Sequence, residues 1–400
     1  MKENRKGNCL RQLTLSKSGI AKVKSHSTEL KANDFEGSIK SSHPGEWCLI
    51  KLPDAAYIGF INPLVDDQYT CFYIIEPSLG EVNPLNLIKD KILHAYAKRE
   101  QIKGYLDGCR LFYGASDGIP GLIVDTFENA NIIQINTAGI DKYREDIRSI
   151  FDSLTKKKSY LLDNVQYRAK EFLPTFERES VPDITIMENN LRYTLRSEVL
   201  QKVGFYYDHR ENRNQLSNLL KRLNHSPANG VDLFSYIGAW GMSALSSGCQ
   251  KMDFVDQGDF QREISASLKL NGFDGRGEFY RADVFKFLDE RIKDNRTYDL
   301  ILSDPPAFAK SLNQKKQALE GYSKLHRKVL KLAAKNSLCV FSSCTHYVSH
   351  EEFLKNIQEA SFKEHRSLQL VYTGMQGWDH PVSNLSDKSN YIKSYFYFVE

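Results

Sequence analysis

A regular alternation of apolar runs and amphipathic segments between residues 204 and 342 constrains the fold more than any other feature. The apolar runs are short and end at turn residues, as buried parallel strands do. They cover residues 231–234, 251–255, 277–280, 298–303 and 338–342. Segments with helical spacing lie at residues 210–223, 240–247, 259–270, 284–291 and 319–334. Short loops join them, so this part of the chain is predicted to form a doubly wound, Rossmann-like α/β sheet.

The regions on either side of this alternation have other patterns. Two strand-like runs at 368–371 and 391–399 have no helix between them, which predicts an antiparallel final hairpin on the parallel sheet. Short β-like runs at 47–52, 56–61 and 71–75 predict a small N-terminal β-barrel. A helix at 86–103 and further strands predict a small α+β domain. We therefore expect three domains, at residues 1–78, 79–190 and 191–400.

Composition excludes several classes of protein. Hydrophobic residues make up 41% and charged residues 26% of the 400-residue chain, which argues against global disorder. No apolar run approaches the length of a membrane span and the first residues are polar, so we expect a cytoplasmic protein without membrane association. The seven scattered cysteines form no C-x-x-C pair, which argues against a disulfide framework and a metal site. A net charge of +4 permits an anionic partner without requiring one.

The loop after the strand at 298–303 is the first candidate for chemistry. Asp304 follows that strand and is itself followed by Pro305 and Pro306, which cannot continue a central strand. Ligands of open α/β sheets bind at the carboxyl ends of the strands. A rigidly held acid with Phe308 close by suits the binding of a planar polar ring, although Asp304 alone could also simply begin a turn.

Further acids at the same sheet edge indicate a nucleoside cofactor. The turn after the first strand contains Gly238 but no G-x-G-x-x-G pattern, and Phe234 and Tyr236 stand where a pyrophosphate binder needs bare backbone. Asp256 follows the next strand, in place for ribose hydroxyls, and Asp283 follows the strand after that, in place for an adenine amino group. Each could be a helix N-cap instead. With Asp304 they form a series of acids that favours an S-adenosylmethionine pocket beside a substrate acid.

A cysteine completes the candidate site. Cys344 lies just past the strand at 338–342 and should face the loop of Asp304. A partly exposed thiol near a helix start can act as a nucleophile. Cys339, inside the same strand, is expected to be inert core.

Several segments in combination resemble the bacterial 23S rRNA cytosine-5 methyltransferases: residues 201–210, 232–241, 304–308 and 342–344. Residues 114–125 and 379–382 resemble two more signatures of that family. The resemblance covers most of the chain from about residue 105 and is weak before residue 80, where Ser27 and Glu29 depart from the family pattern; His209 replaces the usual glutamine. It implies an N-terminal PUA domain, a central α+β domain and a class I methyltransferase domain.

The resemblance also implies roles for individual residues. Cys344 would add to cytosine C6, and Asp304 would hold the N3/N4 edge of the base. Ala307 stands where related enzymes carry a second cysteine, which implies a one-cysteine mechanism. The substrate would contact Pro305, Pro306, Phe308 and Tyr322. The cofactor would be bound by Asp208, Arg210, Asp232, Phe234, Tyr236, Gly238, Asp256, Asp283 and Asp304.

Two other functions remain open at this point. One is an N-methyltransferase acting on guanine or adenine in rRNA, for which Cys344 would be incidental. The other is a non-catalytic ribosome-assembly factor that binds RNA. The expected partner is large-subunit rRNA in either case, and a homodimer is one option for the assembly.

Overall fold

The computed structural model describes residues 10–77, 82–163, 165–176, 179–199, 204–382 and 389–400. These residues form two compact units. Unit 1 holds the described residues of Met1–Pro182 and Leu200–Gly204, and unit 2 holds those of Asp183–Val199 and Phe205–Glu400. In the described ranges no helix is both long and apolar enough to cross a membrane.

Unit 1 begins with a five-stranded sheet. Its elements are β1 (Arg11–Leu13), α1 (Lys17–Lys24), β2 (Glu29–Leu30), β3 (Glu46–Lys51), β4 (Ala56–Ile61) and β5 (Phe72–Pro77). The strand order is β1-β3-β4-β5-β2, with β3, β4 and β5 antiparallel to their neighbours in sequence. The three predicted N-terminal strands are therefore present, whereas the likeness to a PUA domain stays a prediction.

A four-stranded sheet with helices completes unit 1. Its elements are α2 (Pro84–Glu100), β6 (Cys109–Tyr113), β7 (Leu122–Thr126), β8 (Asn131–Ile135), α3 (Ala138–Asp141), α4 (Arg144–Thr155), β9 (Ser159–Leu161) and α5 (Val165–Lys170). A buried ion pair of 2.7 Å joins Arg99 of α2 to Asp117 in the glycine-rich turn after β6. Trp47 of the first sheet packs into the core of the second and donates to the Gly139 carbonyl at 3.0 Å. The predicted domain boundary at residue 78 lies outside the described residues.

Unit 2 starts with a hairpin. Its strands, β10 (Ile184–Glu188) and β11 (Leu191–Leu195), are antiparallel. The boundary that we predicted at residue 190 falls in the turn between them, whereas the structure assigns both strands to unit 2. Electrostatics explains this assignment, because the buried Glu188 carboxylate accepts two hydrogen bonds of 2.6 Å from Arg213, which lies on the helix at Arg210–Leu220 in the same unit.

The rest of unit 2 is a seven-stranded mixed sheet flanked by helices. The strands are β12 (Asn229–Leu233), β13 (Lys251–Asp256), β14 (Gly277–Arg281), β15 (Tyr298–Ser303), β16 (Ala333–Ser343), β17 (Leu368–Gly374) and β18 (Lys393–Val399). The helices are α6 (Arg210–Leu220), α7 (Ala239–Leu245), α8 (Gln261–Leu270), α9 (Val284–Lys293), α10 (Lys315–Leu332) and α11 (His350–Lys363).

Strand order in this sheet confirms the predicted α/β architecture. The order is β14-β13-β12-β15-β16-β18-β17, and β12 to β16 pair in parallel. β18 runs antiparallel to both β16 and β17, which confirms the antiparallel final hairpin. Val231, Ile301 and Cys339 are fully buried, as expected for central strands with helices on both faces. Since β12, β15 and β16 are adjacent and parallel, the loops that follow them meet at one edge.

Candidate functional site

Asp304 lies at the centre of that edge and faces two ring nitrogens, one of which donates a hydrogen bond to it. The indole Nε1 of Trp240 donates to one carboxylate oxygen at 3.1 Å, and Nε2 of His209 lies 3.4 Å from the other. The two rings also contact each other, with centroids 5.3 Å apart. Asp304 is therefore a positioned acid with a side chain that remains 24% exposed, and not merely the start of a turn.

The proton on His209 can be assigned from its neighbours. Asn212 Nδ2 donates to the Met375 carbonyl at 3.0 Å and lies 3.1 Å from Nδ1 of His209. Nδ1 must therefore accept, which leaves the proton on Nε2, facing Asp304. Burial disfavours the charged ring, but the Asp304 and Asp208 carboxylates outweigh it and raise the pKa of His209. A proton on Nδ1 would, however, point at the N–H donor of Asn212, which is unfavourable. With Asn212 in this orientation we therefore assign the neutral form to His209.

The loop after β12 has a strained backbone. Phe234 and Tyr236 have positive φ angles of 60° and 50°, and Gly238 has a φ of 84°. Non-glycine residues rarely adopt this conformation, and it is concentrated at functional sites. The Tyr236 ring packs edge-on against Tyr206 and Phe260, with centroids 5.3 and 4.9 Å apart. These contacts hold an aromatic wall beside the strand end.

Gly238 has a structural reason of its own to be glycine. A Cβ atom there would lie 2.9 Å from the Phe254 ring of β13, and one at Gly241 would lie 2.3 Å from it. Both glycines therefore let α7 pack closely on β13. The cofactor contact that we expected at Gly238 stays a prediction.

Asp232 has the strongest signature of a ligand-binding acid. It is 1% exposed, and its Oδ2 accepts from the Gly241 N–H at 2.8 Å. Among the described residues its Oδ1 has no hydrogen-bond partner. Burial raises the pKa of Asp232 well above its ordinary value, and the nearby Asp304 and Asp256 add to the shift. A buried acceptor without a partner suits a cationic donor such as the amino group of S-adenosylmethionine.

Asp256 and Asp283 are both engaged in local structure. The two oxygens of Asp256 accept from the Tyr236 and Gly258 N–H groups at 3.0 and 2.8 Å. Asp283 is exposed and caps α9 by accepting from Lys286 N–H at 3.0 Å. The N-cap alternative is therefore correct for Asp283, and contacts of either acid with ribose or adenine stay predictions.

Asp208 and Arg210 are close in sequence, but their side chains contact different residues. The Asp208 carboxylate accepts from the Tyr391 hydroxyl at 2.7 Å. The Arg210 guanidinium is buried against the Tyr207 ring, 4.9 Å from its centroid, with Nε 3.7 Å from Glu188. We expected both residues at the cofactor entrance. Arg210 lies in the contact between the β10–β11 hairpin and α6, where the Glu188 carboxylate attracts it, and a contact of either residue with the cofactor stays a prediction.

Cys344 is half-buried beside the loop of Asp304. Its Sγ lies 3.9 Å from the carbonyl oxygen of Pro305, the residue that follows the acid. Pro305 is buried and Pro306 is exposed. The thiol and the carboxylate thus occupy neighbouring loops at one sheet edge, as predicted from the strand order.

Tyr322 does not contact the surface, contrary to the expectation that it binds substrate. It is fully buried, and its hydroxyl lies 2.9 Å from Ser343 Oγ and 2.6 Å from Thr345 Oγ1. The Phe308 ring lies on Tyr322 with centroids 4.6 Å apart, and the Phe308 N–H donates to Thr345 Oγ1 at 3.2 Å. Tyr322 therefore supports Phe308 from below, and Phe308 is the half-exposed ring of this pair.

Three residues at the site were missed in the sequence. The first is Trp240, which donates a hydrogen bond to Asp304. The second is Tyr206, whose pKa is raised to about 12 by burial and then by the negative charges of Asp208, Cys344 and Asp304. Lys393 is 2% exposed at the start of β18. The one available signal was a lysine inside an otherwise apolar strand, because such a buried cation needs specific partners.

Several known proteins are similar in sequence to this chain. A protein family described as S-adenosylmethionine-dependent methyltransferase matches residues 145–370. A "Ribosomal RNA large subunit methyltransferase I" of Serratia proteamaculans is 31% identical over 299 residues, covering 72% of this chain and 74% of its own. The protein of that name from Yersinia pseudotuberculosis is 30% identical over 310 residues, covering 75% of each chain.

Two solved structures share the fold. One is a Streptococcus mutans protein proposed to be a SAM-dependent methyltransferase, with a TM-score of 0.76, 19% identity, and coverage of 97% of this chain and 100% of that one. The other, SMU.776, is a proposed methyltransferase complexed with SAH, with a TM-score of 0.77, 20% identity and the same coverage. At these identities the likeness concerns the fold alone.

Proposed function

The chain belongs to the S-adenosylmethionine-dependent methyltransferase family, and from that premise we propose that it methylates C5 of cytosine in large-subunit rRNA through a covalent adduct with Cys344. The names of the relatives support rRNA as the substrate class. The observation that carries the choice of base is the position of Cys344 Sγ, 3.9 Å from the carbonyl of the residue after Asp304. The cofactor is S-adenosylmethionine, which supplies an electrophilic methyl group when bound.

The thiolate of Cys344 performs the step that cytosine needs. C5 of cytosine is a poor nucleophile, and addition of sulfur to C6 forms an S–C6 bond while the C5=C6 π electrons move toward C5. C5 is then able to accept a methyl group. A water molecule or another base then takes the C5 proton, the electrons of the C5–H bond restore the C5=C6 double bond as the S–C6 bond breaks, and Cys344 leaves as the thiolate.

Asp304 orients the base while charge develops on it. One oxygen faces Trp240 Nε1 and the other faces His209 Nε2, and each carboxylate oxygen has a second lone pair for the ring. Asp304 would accept from the exocyclic N4 and favour a proton at N3 as electrons move into the ring. Phe308 would pack on the flipped base, because Tyr322 below it restricts the Phe308 ring.

The test combines product analysis with trapping. Unmodified large-subunit rRNA is incubated with the full-length protein and methyl-labelled cofactor, and its nucleosides are separated by mass spectrometry. We expect labelled 5-methylcytidine. RNA that contains 5-fluorocytosine should form a covalent complex, since the fluorine cannot leave and the adduct persists. Cys344→Ala should abolish both signals, whereas Cys339→Ala, a change in the buried part of the same sheet, should retain both.

Other products would favour other functions. A labelled methylguanosine or methyladenosine, retained in Cys344→Ala, would favour the N-methyltransferase alternative, in which Asp304 accepts from an exocyclic amino group without any thiol. A folded protein that fails to bind the cofactor in calorimetry would favour the non-catalytic RNA-binding alternative. RNA binding by the N-terminal sheet and a homodimer remain predictions.

A further inference from the structure

Lys393 lies directly beside the loop of Cys344. It is the first residue of β18 and pairs in register with Ser343, the residue before the thiol. Its side chain is 2% exposed, and its Nζ donates to the carbonyls of Thr345 and Tyr391, each at 3.0 Å. Both of these acceptors are neutral, and within the described part of the chain no carboxylate pairs with this ammonium group.

A buried ammonium without a carboxylate is costly, so its charge calls for an explanation. Burial lowers the pKa of Lys393 to about 8, and the negative charge that Cys344 carries when it is ionised opposes this shift. An ammonium group has three N–H donors, and the two carbonyls occupy two of them. Among the described residues the third donor has no hydrogen-bond acceptor.

Among the residues that the structure describes, the other titratable groups around Lys393 do not supply a second cation. Burial, followed by the charge of Lys393 itself, lowers the pKa of His350, which begins α11. The Tyr395 hydroxyl, on the same strand as Lys393, lies 2.7 Å from His350 Nδ1, and burial raises the pKa of Tyr395 to about 12. The His346 ring packs at a tilt against Tyr391, with ring centroids 5.1 Å apart. Asp304 and Asp208, from the loops across the site, are acids that oppose a thiolate.

We propose that the Lys393 ammonium stabilises the thiolate form of Cys344 and that Lys393 is therefore a positioning residue of the reaction. A neighbouring lysine cation favours the thiolate because it is close to a new negative charge in a partly buried environment. The inference rests on the proposed function only in that the thiolate is the attacking form. It concerns the ionisation of one sulfur, which is measurable without RNA or cofactor.

The experiment measures the rate of Cys344 alkylation by iodoacetamide against pH in the full-length chain. A Cys9→Ser background removes a thiol outside the described residues, and the modified Cys344 peptide is quantified by mass spectrometry. In the parent chain the midpoint should lie below the ordinary thiol value of about 8.5. Lys393→Met should raise it by about one unit or more, so that alkylation near neutral pH slows about tenfold. Lys393→Arg should keep a low midpoint.

Lys157→Met is the matched control. Lys157 is a second lysine whose Nζ donates to a backbone carbonyl, that of Leu106, at 3.0 Å. Burial lowers the pKa of Lys157 as well. Lys157 belongs to unit 1, whereas Cys344 belongs to unit 2. Its loss should leave the Cys344 midpoint unchanged. A purely structural role for Lys393 would reduce thermal stability without moving the midpoint.

Two results would overturn the inference: equal midpoints in the parent chain and Lys393→Met, or a parent midpoint at or above that of an ordinary thiol. The second needs no variant, so the question is decided even if Lys393→Met does not fold. The proposed function fails separately. A chain with the expected titration that makes no 5-methylcytidine would refute the function and retain the inference.

Discussion

The two sides of Asp304 are built in different ways. On the side proposed to bind the cofactor, here called the cofactor side, the backbone shapes the loop after β12. Phe234 and Tyr236 have positive φ angles, and Asp256 accepts from two main-chain N–H groups. On the thiol side, the loop after β16 is shaped by side chains that contact one another, with Tyr322 joined to Ser343 and Thr345. This difference indicates that substitutions of side chains are tolerated better on the cofactor side than on the thiol side, which depends on its buried network. The exception is an acid proposed to bind the cofactor directly, such as Asp232.

Asp304 lies between the two sides, and its substitution should reduce methylation more than any other change considered. Asp304→Asn keeps the size and shape of the side chain but removes the negative charge that is proposed to bind the cytosine ring. We therefore expect kcat to fall by about 10²–10³-fold, the range found when one electrostatic stabiliser of a transition state is lost. The assay is single-turnover methylation of rRNA. Asp299→Asn, at the opposite end of β15, is the control and should keep its rate. A rate for Asp304→Asn within twofold of the parent would refute a catalytic role for the acid.

The cofactor side should respond to Asp232→Asn through binding. The asparagine oxygen can still accept from Gly241, but its NH2 group would then replace the oxygen that has no partner among the described residues. Loss of one charge-assisted hydrogen bond should weaken cofactor affinity by about 10–100-fold. Calorimetry with S-adenosylmethionine measures the effect, and the alkylation midpoint of Cys344 should not change. Equal affinity in the parent and the variant would remove Asp232 from the cofactor site.

Acid should weaken the thiol side through His326. This ring lies fully buried on α10, contacts Tyr322 with centroids 5.9 Å apart, and has its pKa lowered by burial to about 3. The unfolded chain takes up a proton near pH 6.5 that the folded chain refuses, so stability is present above that pH and is lost as the pH falls below it. Between neutral pH and about pH 5 the loss should be about 2 kcal/mol.

Hydrogen exchange of α10 peptides at several pH values measures this loss, because a chain of two units does not give one unfolding equilibrium. His326→Phe keeps an aromatic ring of similar size and should flatten the pH dependence, although it sacrifices the hydrogen bond to Asn356 Oδ1. An unchanged slope in that variant would show that another group carries the acid sensitivity.

The same two sides explain what could be predicted from the sequence. The apolar runs locate the strands, and strands that are consecutive in an alternating α/β chain are usually neighbours in the sheet. The amino-acid pattern therefore places Asp304 and Cys344 at neighbouring strand ends. The direction of a side chain depends instead on tertiary partners that lie far away in sequence. Arg210 points inward because Glu188 lies on a hairpin packed against α6, and Tyr322 is buried because Phe308 covers it. Position 238 requires glycine because the Phe254 ring of another strand leaves no room for a side chain.

The smallest effect is expected for Tyr322→Phe, which isolates the hydroxyl network of the thiol side. The ring that supports Phe308 remains, while the hydroxyl contacts with Ser343 and Thr345 are lost. Neutral hydrogen bonds of this kind contribute about 1 kcal/mol each to stability, so exchange of α10 amides should accelerate about fivefold or more. Methylation should fall less than about threefold, because the Phe308 ring still has its platform. A loss of activity as large as that of Asp304→Asn would mean that the Tyr322 hydroxyl takes part in chemistry, and the contrast between a supporting and a reacting residue on this side would fail.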